Sequence, residues 1–206
     1  MLRMKQVRRA TAQGFTLVEL MVALVSGLIV IGAVLALVLA LMKSNRETLQ
    51  STRLNQELRA TINVIANDLR RARSVADPLS TAVLPSPPYK DVDTSTAGCV
   101  IFAYDGAVGG PWHVIRLAGD KVVLQAAATK PASCTSITGT PTPFGSAQVA
   151  VTELTFSPAT TALTSSATRK FDITITGHLV DTNSQVASVS RTITQSIYVR
   201  SIGAGS

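Results

Sequence analysis

The chain has 206 residues, 46% of them hydrophobic and 15% charged, with a formal net charge of +7. That length suits one small domain beside an extended segment. Four of the positives lie in residues 1–14 and seven Lys/Arg face three Asp/Glu in 43–73, while 80–206 are nearly neutral, which excludes the broad basic head of a nucleic-acid-binding protein.

The first 14 residues hold Arg3, Lys5, Arg8 and Arg9 and no acid. From Leu20 to Met42 no side chain is charged. A helix rising ~1.5 Å per residue over that run crosses a bilayer core of roughly 30 Å. Basic residues stay on the cytoplasmic side, so the C-terminal end points outward. The run exceeds the apolar core of a secretory signal peptide, and no Ala-x-Ala follows before Lys43. Glu19 stands at its entrance. An acid inside a bilayer costs ~2.5–3.5 kcal/mol on insertion scales, so it either rises to the headgroups or meets a partner.

Beyond Met42 the pattern becomes amphipathic. Leu54, Leu58, Ile62, Ile65, Leu69 and Ala72 recur at steps of three and four, one apolar stripe on a helix. No proline interrupts residues 15–77, and Asp77-Pro78 is a stop, since the residue before proline avoids the α region. The helix is expected from Phe15 to about Val75. The stripe is too short for a coiled coil and is expected to cover a sheet.

Residues 77–98, rich in Pro, Ser and Thr, read as a loop. Asp91 and Asp93 form an acidic pair with too few further oxygen ligands for a calcium loop. Strands are expected from Cys99 to Tyr104, then at Trp112–Leu117 and Lys121–Ala126 as a hairpin around Ala118-Gly119-Asp120. Residues 129–147 read as a second loop. Val149–Phe156 changes parity after Glu153, the mark of a bulge or sheet edge. Phe171, Ile173 and Ile175 alternate with polar neighbours, and Val189, Ile193, Ile197 and Val199 share one face of a last strand. One helix followed by strands is an α+β layout.

Cys99 and Cys134 both lie on the outward side, in oxidising space, where a pair forms a disulfide. Closing that loop contributes roughly 3–4 kcal/mol in the chain-entropy model. The chain has no Cys-x-x-Cys, Ser/His/Asp signature, phosphate loop or metal cluster. His113 and His178 are far apart without nearby carboxylate patterns, so packing or surface roles are expected. Trp112, Tyr104 and Tyr198 are expected in the core or at a sheet edge. No catalytic residue, cofactor or metal is expected.

Gly14-Phe15-Thr16-Leu17-Val18-Glu19-Leu20, after its short basic leader, closely resembles the processing site of type IV prepilins. The resemblance implies that a prepilin peptidase cuts after Gly14, that Phe15 is then N-methylated, and that Glu19 meets the new amine of a neighbouring subunit. Elementary chemistry agrees. An α-amine on Phe15 and the Glu19 carboxylate strengthen each other's charged forms in a low-dielectric layer, within one chain at i and i+4 or between stacked chains. Ile65-Ala66-Asn67-Asp68-Leu69-Arg70-Arg71-Ala72-Arg73-Ser74 is similar to the helix end of the minor pilin PilW family and of the J-type minor pseudopilin of type II secretion. Met21–Leu28 leans toward PilW. Major pilins usually carry a proline in the membrane helix, and this chain has none there.

These likenesses imply the type IV pilin-like fold: a long N-terminal α-helix, its first half membrane-spanning, packed on an antiparallel β-sheet head. The expected division is a cleaved leader at 1–14, a membrane or filament-core helix at 15–42, an amphipathic helical half at 43–76 and a β-rich periplasmic head at 77–206. The implied role is that of a minor pilin in type IV pilus assembly, at the priming or tip complex. A minor pseudopilin, or a pilus-tip subunit binding DNA or another ligand, are the alternatives. Implied partners are the prepilin peptidase, other minor pilins, the major pilin, the assembly platform and the membrane. Nucleic acid is not an expected partner. The implied location is the inner membrane, single-pass with the N-terminus cytoplasmic, and then the pilus.

Overall fold

The computed structural model describes residues 14–77, 88–160, 168–180 and 189–199. The loop expected at 77–98 therefore lies partly outside the described residues, as does the leader. The chain forms one helix, α1 (Leu17–Arg70), then β1 (Val92–Asp93), β2 (Cys99–Ala103), β3 (Trp112–Ala118), β4 (Lys121–Ala127), β5 (Thr142–Phe144), β6 (Val149–Ser157), β7 (Lys170–Leu179) and β8 (Ser190–Tyr198). Contacts divide it into two compact units that meet at Glu47/Thr48.

In the first unit the helix has no cover of its own. Its most apolar 18-residue window is 0% buried and is long and apolar enough to cross a membrane. The one hydroxyl within the uncharged run, on Ser26, donates back to the carbonyls of Val22 and Ala23 at 2.8 and 3.0 Å. That arrangement leaves no unsatisfied donor for a hydrocarbon surrounding.

In the second unit the helix and two antiparallel sheets share a core. The strand orders are β1-β2-β3-β4-β5 and β6-β7-β8. Leu54, Leu58, Ile62, Ile65, Leu69 and Ala72 are each no more than 2% exposed. They pack with Phe102, Ile115 and Val122 of one sheet and with Leu154, Phe171, Ile173, Ile175 and Ile197 of the other. At ~25 cal/mol per Å² of apolar surface, this burial is the main force holding helix and strands together. Gly177 marks a close approach of helix and sheet, where a Cβ would sit 3.0 Å from the Leu58 side chain and 2.7 Å from the Ala150 carbonyl.

Several details differ from expectation. The head has two sheets where one was expected. They are tied by the Val151 amide on the Asp120 carbonyl (2.8 Å) and by the Thr94 amide on the Thr160 carbonyl (2.8 Å). β1 and β5 occur inside stretches that read as loops. Two or three residues of ladder are too short for a periodic pattern to register, although Val92 is fully buried and its carbonyl accepts the Thr160 hydroxyl at 2.7 Å. The helix ends at Arg70, not near Val75. The amides of Arg71 and Ala72 fall back to the carbonyls of Asp68 and Leu69, closing a tighter last turn. Arg73 then takes φ +66° and gives its amide to the Ala103 carbonyl at 2.8 Å, so the chain leaves the helix along β2. The hairpin turn is the two-residue Gly119-Asp120, and the expected irregularity in β6 is a register shift between Val151 and Glu153.

Candidate functional site

Gly14, Phe15 and Thr16 precede the helix, all three are exposed, and Phe15 is 83% accessible. Thr16 caps the helix: its hydroxyl accepts the Glu19 amide at 3.3 Å, and its carbonyl accepts the Leu20 amide at 3.2 Å. Thr16 and Glu19 stand in the spacing of a capping box, three residues apart. Glu19 lies in the first helical turn, where the helix dipole favours a negative charge. Among the described residues no cation pairs with its carboxylate. A cut after Gly14 therefore exposes an amine just ahead of a capped helix, one turn from an unpaired acid. The Thr16-x-x-Glu19 spacing made the cap readable, but only the Glu19 amide takes part in it.

The second cluster lies at the other end of α1. Asp68 receives the Tyr104 hydroxyl on one carboxylate oxygen at 2.6 Å and His113 Nδ1 on the other at 3.1 Å. The Tyr104 and His113 rings lie 4.4 Å apart, and the Arg71 guanidinium sits 4.3 Å above the Tyr104 ring. Burial, followed by the hydrogen bond to Asp68, pushes the Tyr104 hydroxyl well above its ordinary pKa. The His113 Nε2 is buried, and among the described residues no group hydrogen-bonds to it. This cluster fastens the helix end to β2 and β3. His113, expected in a packing or surface role, is buried here against the Asp68 carboxylate. The acid comes from 45 residues earlier in the chain and is invisible to local spacing. Arg73, next along the chain, is also buried. It donates to the carbonyls of Lys90 and Thr168, both at 2.9 Å. Desolvation draws its pKa below the usual guanidinium value, and Asp91 opposes that shift.

Cys99 and Cys134 are joined by a disulfide that links β2 to the 129–141 segment. With Ile101 and Val114 they form a small second core on the sheet face away from the helix. Asp91 pairs with Lys130, and Asp93 accepts the Ser95 amide at 3.0 Å, so the two acids serve separate local contacts. Among the described residues no group of three His, Cys, Asp or Glu is placed to hold a metal. His178 is half-buried on the solvent side of β7.

A family of known proteins, prepilin peptidase-dependent protein B, matches residues 47–199, about three quarters of the chain. The chain belongs to the prepilin peptidase-dependent protein B family. No curated protein and no solved structure matches it. The family match begins at residue 47, beyond the segment Gly14–Leu28 that resembles prepilins. The two likenesses therefore rest on different residues of this prepilin peptidase-dependent protein, and they agree on a pilin-related chain.

Proposed function

We propose that the chain is a minor pilin that takes part in type IV pilus assembly, as a priming or tip subunit. Prepilin peptidase removes residues 1–14, and Phe15 is then methylated. The observation that carries this reading is the joint presence, in non-overlapping parts of one chain, of a prepilin-type N-terminus and a head of the prepilin peptidase-dependent family. Before assembly the apolar half of α1 holds the protein in the inner membrane, N-terminus inward and head in the periplasm. During assembly other minor pilins, the major pilin and the platform proteins replace lipid around that helix. Glu19 then pairs with the amine of a neighbour and sets the axial register. The chain performs no chemistry of its own.

A second reading is a minor pseudopilin of type II secretion, since the Ile65–Ser74 helix end resembles that group as well as the PilW family. A ligand- or DNA-binding tip subunit is less well supported, because residues 80–206 are nearly neutral. Deleting the gene is expected to abolish surface pili and twitching while exoprotein secretion continues, and the opposite pattern selects the pseudopilin. Glu19→Ala is expected to insert normally and to be missing from sheared filaments. Incorporation at wild-type level would contradict the role given to Glu19.

A further inference from the structure

β2 is the unbroken apolar run Cys99-Val100-Ile101-Phe102-Ala103, and all five residues are buried. A strand alternates its side chains between two faces, so such a run needs a cover on each. Val100 and Phe102 lie in the main core with the helix stripe. Cys99 and Ile101 point the other way, onto the face where Val114 of β3 stands opposite Ile101. The cover there is residues 129–141, part of the connection from β4 to β5. It brings Cys134 to Cys99 and packs Ile137 on the same small cluster.

The two covers are held differently. The helix offers a continuous apolar stripe from Leu54 to Ala72. Residues 129–141 are mostly Thr, Ser and Pro. Among the described residues no backbone hydrogen bond joins them to a strand. Their Gly139 carbonyl accepts Gln125 Nε2 at 2.9 Å, and Lys130 pairs with Asp91 and lies 5.4 Å over the Trp112 ring. One hydrogen bond and one partly exposed ion pair hold a segment weakly. The covalent tie, from Cys134 near the middle of the segment to Cys99, spans 35 residues of sequence. None of the 129–141 residues belongs to the main core.

We infer that residues 129–141 are a redox-dependent strap. With Cys99 and Cys134 joined, the strap seals the outer face of β2 and β3. With both reduced, it lifts, while the core shared with the helix stays folded. Opening takes a dithiol reductant, which gives up two electrons and two protons and leaves as a disulfide. The S–S bond breaks and Cys99 and Cys134 become thiols. Closure is the reverse exchange with a disulfide oxidant. Ile101 and Val114 are 6% and 0% exposed under the strap. Once it lifts, they and Trp112 form a bare apolar patch. The strap is thus a separate opening unit of the head, and the outer surface follows the redox state of its surroundings. Only residues of the head take part, so the device does not depend on the pilus-assembly reading.

The test uses the full chain in detergent micelles. Cys134→Ala breaks the tie and leaves β2 untouched. Trp112 is the chain's one tryptophan, so its emission reports on the cover directly. In Cys134→Ala that emission is expected to move to longer wavelength, and thermolysin is expected to cut before Ile137. Amides of 129–141 are expected to exchange at least about tenfold faster than in wild type. Amides of Leu54–Leu69 and of β6, β7 and β8 are expected to keep wild-type protection. Lys130→Ala, which removes the ion pair and spares the disulfide, is expected to leave the strap protected from exchange and from thermolysin. A strap that stays protected in Cys134→Ala overturns the inference. So does protection lost across the helix and β6–β8 as well, because the disulfide would then hold the whole head. A strap that lifts in Lys130→Ala with its disulfide intact also overturns it.

Discussion

Leu28 and Leu58 belong to the same helix, yet one is 62% exposed and the other is fully buried. Thirty residues apart, they show two ways of satisfying apolar surface. Around Leu58 the chain supplies its own cover, from the strands that carry Phe102, Phe171 and Ile175. Around Leu28 the described residues supply none, and the exposed run is long and apolar enough to cross a membrane. The helical residues up to Glu47 are thus specified for their surroundings, and those from Thr48 onward for their own fold.

The largest expected effect comes from placing a charge in the self-covered part. Ile65→Asp buries an unpaired carboxylate among apolar side chains, which costs several kcal/mol, on the order of the whole stability of a small domain. The head is expected to become protease-sensitive while membrane insertion persists. A folded, resistant head would break the comparison, because the stripe would then pack elsewhere. A milder pair sharpens it. Leu58→Ala is expected to cost about 2–5 kcal/mol in thermal unfolding of the head. The identical change at Leu28 is expected to leave that transition within about 0.5 kcal/mol of wild type.

The helix-end cluster gives the next effects. Asp68→Asn removes the charged acceptor for Tyr104 and His113 and is expected to lower head stability by about 1–3 kcal/mol. Tyr104 adds a pH dependence. Its pKa is raised in the folded chain, so its contribution is fully present below the unfolded value of about 10 and is lost as pH climbs through the folded value. Denaturant unfolding should therefore weaken above about pH 10 in wild type and weaken less in Tyr104→Phe. The smallest effect is at the other end of the helix. Thr16→Ala removes the cap and should reduce helicity of the first turn by about 1 kcal/mol, read by amide exchange in micelles, with the head unchanged.

How much of this was legible in the sequence follows from the range of each interaction. The stripe from Leu54 to Ala72 and the alternation of Phe171, Ile173 and Ile175 are periodic, and the structure buries them as expected. The turn at Gly119-Asp120 and the irregularity in β6 were marked by local chemistry. The division into two sheets was not, because nothing in a single strand says which neighbour it will pair with. β1 and β5 are too short to show a period. Asp68 was visible as part of a helix-end pattern, but its partners Tyr104 and His113 lie 36 and 45 residues away. At the N-terminus, the resemblance alone proposes roles for Gly14, Phe15 and Glu19. The structure adds the Thr16 cap and the exposed approach to the Gly14–Phe15 bond.

The account depends most on that bond being cut. Mass spectrometry of the native protein from membranes or sheared filaments tests it directly. The expected N-terminal peptide begins at Phe15 and carries one added methyl group. An intact chain that still holds Arg3, Lys5, Arg8 and Arg9 would contradict it.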